Sequence, residues 1–215
     1  MNAGTVVSLN IGLPQAVDYR GQPVYTGIFK QPVDGPGHLA RLNFRGDGQG
    51  DLKHHGGPDK AVCAYFFEHY AFWEAMYERS FDWGAFGENV TLGGLTEADV
   101  CIGDRWRLGE TTVEVSQPRK PCFKLAMKHG IPDLAVQVER TGFTGFYFRV
   151  LDEGHVAKGD SLACIERHPL GITVREANRI MNEADADKAD VRALLNVAGL
   201  SESWRQSLLK RLEAR

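Results

Sequence analysis

Two stretches of this 215-residue chain gather the residue types that could do chemistry. The denser one runs Gly46-Asp47-Gly48-Gln49-Gly50-Asp51-Leu52-Lys53-His54-His55-Gly56-Gly57-Pro58-Asp59-Lys60. Its glycines let backbone amides approach a ligand closely, and Lys60 with the two histidines adds charged donors, so the loop suits an anion such as a phosphate. The same glycines would also serve a plain polar turn. Adjacent histidines diverge and have no H-x-x-x-H partner here, which argues against a shared metal. The second stretch is Ser116-Gln117-Pro118-Arg119-Lys120-Pro121-Cys122-Phe123-Lys124, where Arg119, Lys120 and Lys124 flank a cysteine. Nearby cations favour thiolate over thiol, and a thiolate can attack an electrophile or bind a soft metal. Cys63, Cys101 and Cys164 sit among aliphatic residues and read as small core residues. A third, weaker element, Phe86-Gly87-Glu88-Asn89-Val90, offers a carboxylate and an amide to a polar ring, or simply a turn into the next strand.

Composition limits what such sites can serve. With 43% hydrophobic and 25% charged residues and a mean hydropathy of -0.30, the chain reads as an ordinary globular protein. Twenty-five Lys+Arg against 28 Asp+Glu leave a formal charge of -3, so no global basic field recruits nucleic acid or an anionic membrane, and any anion must be held locally. Four scattered cysteines without a C-x-x-C pair exclude a zinc ribbon, a thioredoxin-type motif and a cysteine-held iron–sulfur cluster. Met1-Asn2-Ala3-Gly4 lacks a basic leader, and no apolar run approaches the ~20 residues of a membrane span, so a cytoplasmic protein with reduced thiols is expected.

The elements that must position these loops are mostly strands. Val6–Ile11, Ala40–Arg45, Thr112–Ser116, Phe146–Val150 and Asp160–Ile165 carry period-two or apolar strand patterns punctuated by glycine and proline, which predicts a mainly β barrel over residues 1–167. One helix is expected to interrupt them, from Val62 to Glu78, with Phe66, Tyr70, Trp73 and Tyr77 on one face and His69 as a satisfied structural histidine. Residues 168–215 change period and predict a small three-helix bundle. Thr173 and Glu176 form a capping box, Asp187 or Asp190 starts the second helix, and Ser201 caps the third. Its Arg175, Arg179, Arg205, Lys210 and Arg211 are interleaved with Glu183, Asp185, Asp187 and Asp190, so it lacks the charge for nucleic acid.

Read jointly, the motifs resemble the MOSC domain, the module shared by molybdenum-cofactor sulfurase C-termini and the small bacterial YiiM proteins. The resemblance rests on Gly48-x-x-Asp51, His55-Gly56-Gly57-x-Asp59-Lys60-Ala61-Val62, Phe86-Gly87-Glu88-Asn89, Gly103-Asp104, Pro118-Arg119-x-Pro121-Cys122 and Gly159-Asp160, and on the three-helix tail that the YiiM group adds. It implies a MOSC-type β-barrel that binds the molybdenum cofactor, with the family's functional cysteine falling on Cys122 as a thiolate ligand to molybdenum. Lys60 and Arg119 would then hold the phosphate with backbone donors from Gly56 and Gly57. His54, His55, Glu88, Asn89 and Ser116 would position pterin or substrate, and His54 or His55, with an ordinary pKa near ~6.5, would donate protons. The implied activity is reduction of N-hydroxylated compounds such as hydroxylaminopurine, a detoxification, with electrons from a separate flavoprotein or ferredoxin reductase. The alternative is a non-catalytic carrier of the cofactor or of sulfur that uses Cys122. Membrane and nucleic-acid partners are not expected, and a homodimer is left open.

Overall fold

A sheet whose first and last strands pair with each other has no edge to protect, and the main sheet here closes in that way. The structure, a computed structural model, describes residues 3–213; the side chains of Lys53 and His54 lie outside that description. Strand β1 (Ala3–Ile11) is followed by a hairpin of β2 (Gln15–Tyr19) and β3 (Gln22–Thr26), then by β4 (Gln31–Pro32) and β5 (Gly37–Leu39). The short helix α1 (Leu52–His55) and a 3-10 turn (Pro58–Lys60) lead into β6 (Val62–Phe66), and a second 3-10 turn (Phe67–His69) opens α2 (Tyr70–Tyr77). Strands β7 (Val90–Gly93), β8 (Arg105–Leu108) and β9 (Thr111–Pro118) precede α3 (Lys124–His129) and α4 (Leu134–Thr141). Strands β10 (Phe146–Asp152), β11 (Gly154–Val156) and β12 (Ser161–Glu166) come next, and α5 (Val174–Asn182), α6 (Lys188–Leu195) and α7 (Glu202–Glu213) follow.

The barrel order is β12-β8-β9-β10-β6-β7-β1, with β1 pairing back onto β12 through Ala3 opposite Ala163 and β4 added beside β1. Antiparallel neighbours dominate; β6 and β7 are the parallel pair. Its interior holds Leu9, Phe66, Leu92, Trp106, Phe146 and Phe148 in one cluster that also contains Val174, Ile180, Leu194, Trp204 and Leu208 from the C-terminal helices. Those helices therefore share the barrel's core. A second cluster outside the barrel packs Tyr65, Tyr70, Trp73, Phe86, Leu125 and Leu134. The fold is thus mainly β, a closed barrel with a C-terminal three-helix module. The N-caps fall where expected: Thr173 Oγ1 accepts from the Glu176 N–H at 3.1 Å, the Thr173 half of the capping box, and Asp187 accepts from Ala189 at 2.8 Å.

Two expected elements differ. The helix predicted from Val62 begins only at Tyr70, because Val62–Phe66 is a strand buried along its whole length. Val62, Ala64 and Phe66 fill the barrel, while Tyr65 joins the outer aromatic cluster and accepts a hydrogen bond from Trp73 Nε1 at 2.6 Å. A short apolar run covered on both faces carries no alternation, so periodicity cannot separate strand from helix there. The strand predicted over Ala40–Arg45 is instead a bend tied by Ala40 N–H to Asn43 O and Arg45 N–H to His38 O. Phe44 enters the core and Leu42 is left exposed at the turn, an alternation produced by a tight loop. His69 is the satisfied histidine expected, buried with Nε2 2.6 Å from Glu97 Oε2 and its ring stacked on Phe143.

Candidate functional site

The two chemically dense loops meet over the outer face of β6 and β10. The cleft between them is lined by His55 and Lys60 from the glycine-rich loop, by Arg119, Cys122 and Lys124 from the segment after β9, and by Asn89 at the entry to β7. Strand alternation adds Tyr147, which local sequence did not single out, and Cys63, which the sequence reads as a small core residue but which lines the cleft. Cys63 lies on β6 one residue from Val62, so it faces away from the barrel core, and Tyr147 lies opposite it on β10. Thr26–Ile28, Lys30 and Asp47 complete the wall.

Asp47 organises that wall. Its carboxylate pairs with the Lys30 ammonium and accepts from the Gly12 N–H at 2.9 Å and from Asn89 Nδ2 at 2.9 Å. Asn89 Oδ1 accepts in turn from the Cys63 N–H at 3.1 Å, and the Asn89 N–H donates to Cys63 O at 2.7 Å. Its amide is therefore spent on fixing the cleft floor, leaving little for a ligand. Glu88 and Ser116 do not reach the cleft wall at all. Glu88, fully buried, accepts from the hydroxyls of Tyr70 (2.5 Å) and Thr91 (2.9 Å) and from the N–H groups of Gly84 (3.1 Å) and Phe86 (3.0 Å). Ser116 Oγ faces the carbonyls of Asp59 (2.5 Å) and Tyr147 (3.1 Å), so it anchors the loop that carries Lys60. Gly56 and Gly57 shape that loop from outside the lining, with φ at Gly57 of 92°, and no long helix presents its N-terminus there because a strand follows Lys60. The His54 side chain lies outside the described residues.

The cleft is electrostatically positive. His55 is pushed down to about 4 by burial first, then by Lys124 and Arg119, with Lys60 adding and Asp51 opposing. It is a neutral imidazole at neutral pH, unlike the ordinary histidine expected from sequence, because it is buried and three cations share its surroundings. Burial likewise pulls the Lys60 ammonium down, against Asp59 and Asp51. Arg119 is buried, and among the described residues its Nη1 has no hydrogen-bond partner. Buried guanidinium donors are normally satisfied, so an orphan in a cleft wall marks a place for an acceptor. Burial pushes the Cys63 thiol up to about 11, so it stays protonated at neutral pH although it shares the cleft. Cys122 is only half-buried at the mouth. Cys101 is a core residue as expected, and Cys164 packs half-buried against the core. The motif carboxylates Asp104 and Asp160 are turn devices: Asp104 accepts from the N–H groups of Cys101 (2.9 Å) and His168 (2.8 Å), and Asp160 from that of Ala157 (2.8 Å).

Comparison with known proteins matches two stretches of the chain. Residues 51–163 match the MOSC domain, and residues 172–215 match the YiiM-like, 3-alpha helix domain. The YflK protein of Bacillus subtilis (strain 168) is 51% identical over 207 residues, 96% of this chain and 94% of that protein. The crystal structure of YiiM from Geobacillus stearothermophilus superposes with a TM-score of 0.82 at 41% identity, covering 97% of this chain and 99% of that one. A reductase of Gibberella moniliformis (strain M3125 / FGSC 7600) is 37% identical over 151 residues, 68% of this chain and 27% of that longer protein.

Proposed function

This chain belongs to the MOSC family in its YiiM-like form, and from that premise we propose that it is a molybdenum-cofactor-dependent oxidoreductase that reduces N-hydroxylated compounds of the hydroxylaminopurine type. One observation carries the reading: a half-buried soft sulfur, Cys122, opens onto a positive cleft in which a buried guanidinium keeps an unused donor. That donor set fits a phosphate-bearing, metal-carrying pterin. The chemistry the cofactor supplies when bound is a two-electron reduction of N–OH to N–H, the oxygen leaving as water.

The chain's own residues bind, orient and protonate. Cys122 is the ligand to the metal, since a soft thiolate suits molybdenum and Cys63 keeps its proton. Arg119 and Lys60 hold the phosphate, each charge-assisted bond contributing about 1.5–3 kcal/mol. Asn89 holds the floor rigid through Cys63 and Asp47. Neutral His55 donates one ring N–H; negative charge brought into the cleft opposes the three cations and raises its pKa, turning it into a proton source. His54 remains a second proton donor in this reading. Electrons come from a separate flavoprotein or ferredoxin reductase.

The test measures molybdenum content and hydroxylaminopurine reduction by protein from a cofactor-competent host, with an artificial electron donor. Near-stoichiometric molybdenum with turnover is expected, and Cys122→Ser should abolish turnover with the fold retained, because a hard hydroxyl is a poor substitute for a soft ligand. Molybdenum bound without turnover in the native protein would favour a carrier, and full activity in Cys122→Ser would remove the proposed ligand.

A further inference from the structure

Cys122 opens on two sides. One is the positive cleft; the other is a groove floored by Pro121, Phe123 and Val136 and bounded by Tyr19. Phe123 and Val136 are 51% and 62% exposed there. The groove's far wall is the tip of the β2–β3 hairpin, a two-stranded ribbon that pairs with no other strand among the described residues. Such ribbons are marginal alone and need anchors. This one has two. At its root, Gly27 packs so tightly on the glycine-rich loop that a Cβ there would fall 2.2 Å from Gly48 O. At its tip, Arg20 and Gly21 take positive φ (58° and 75°) to turn the chain, and the Tyr19 ring stacks on Phe123 with centroids 5.9 Å apart and planes at 27°. The Arg20 guanidinium lies over the same Tyr19 ring, 5.1 Å from its centroid.

The chemistry of this groove differs from that of the cleft. Apart from Arg20 and Glu139 at its rim its lining is apolar and aromatic, so it offers an anion little and a flat ring a stacking surface. The neighbour of Phe123 is Cys122 itself, so a ring stacked there sits beside the sulfur that opens onto the cleft. The root of the same hairpin, Thr26 and Gly27, lines that cleft, so one ribbon touches both sites.

We propose that Tyr19 and Phe123 are specificity-determining residues, a stacking platform beside Cys122 that selects substrates carrying a planar heteroaromatic ring, with the hairpin supplying one half of it. The proposal deepens the reductase reading and rests on it for turnover, though not for ring binding. A ring enters by prising Tyr19 from Phe123 or by extending their stack, and in either case the exchange is aromatic for aromatic. A small N-hydroxylated compound without a ring reaches the same cleft without engaging the platform.

The experiment uses the cofactor-loaded protein, its Tyr19→Ala, Tyr19→Phe and Phe123→Ala variants, and two probes, hydroxylaminopurine and the ringless N-hydroxyurea. Direct binding of each probe is titrated by calorimetry, and KM and kcat are measured separately. In Tyr19→Ala and Phe123→Ala, Kd and KM for hydroxylaminopurine should rise about five- to tenfold, the low end of what base–aromatic stacking is worth. Tyr19→Phe should bind like the native protein, kcat should stay near native, and N-hydroxyurea should be indifferent to all three changes. Equal weakening of both probes, or no weakening of either, overturns the platform. A raised KM for the electron-donating protein with hydroxylaminopurine binding intact would also overturn it, by giving the groove to a protein partner. Tyr19-dependent purine binding with no reduction of either probe by the native protein would keep the platform and sink the reductase reading.

Discussion

Arg119 should be kept at a cost to stability, and replacing it by methionine separates that cost from its use. The side chain is 7% exposed, its backbone N–H is tied to Gly145 O at 3.1 Å, and its Nη1 donor meets no acceptor among the described residues. A buried donor left unmade costs about 1–3 kcal/mol, and methionine fills a similar volume without polar atoms. Allowing for imperfect repacking against Tyr147, cofactor-free Arg119→Met should be about 1 kcal/mol more stable than native, a rise in Tm of about 2–4 °C for a chain of this size. Binding should move the other way. Losing one charge-assisted bond to a phosphate, about 1.5–3 kcal/mol, weakens retention by about tenfold to a hundredfold. Thermal unfolding of the cofactor-free proteins, paired with the molybdenum-to-protein ratio after purification from a cofactor-competent host, reads both effects. A variant that melts below native protein while still retaining native molybdenum would refute the reasoning on both counts, since Arg119 would then be a structural residue outside the phosphate site.

His55 should titrate near 4 in the cofactor-free protein when followed by NMR, and Lys124→Ala should move its midpoint up, because Lys124 is the largest cation acting on it after burial. An unfolded histidine takes its proton near 6.5, so the native state loses stability as pH falls from 6.5 toward 4, and His55→Gln should flatten that part of the profile; an ordinary midpoint would show that neither burial nor the cations act on the ring. Asp59→Ala should destabilise the fold, because Asp59 Oδ1 accepts from Arg149 Nε (2.9 Å) and Nη2 (2.6 Å), and Oδ2 accepts from the Glu202 N–H at the start of α7 (3.1 Å). With both side chains of the ion pair 25% exposed, about 2 kcal/mol is expected after solvent screening, a Tm loss of about 4–8 °C; a change near zero would mean that Glu114 alone satisfies Arg149. Lys60→Ala should lower the molybdenum-to-protein ratio while leaving thermal unfolding of the cofactor-free protein near native, and an unchanged ratio would place Lys60 outside the phosphate site.

Local chemistry determined the parts of this protein that neighbours in the chain decide. Thr173 caps α5 and Asp187 caps α6, because a cap needs only residues within one turn. Period-two runs marked β1, β9, β10 and β12, and the cations beside Cys122 and the glycine-rich loop around His55 and Lys60 pointed to the two loops that meet. Tertiary structure decided the rest, for two physical reasons. Whether Val62–Phe66 is strand or helix depends on what covers each face, and here the barrel takes one and the aromatic cluster the other. Whether a polar side chain is available to a ligand depends on which distant groups have already claimed it. Tyr70 and Thr91 claim Glu88, Asp59 claims Ser116, and Asp47 with Cys63 claims Asn89, whereas Arg119 keeps a donor unclaimed. The same closure of the sheet turned Cys63 and Tyr147 into the cleft and set three cations around His55, which no spacing in the chain foretells.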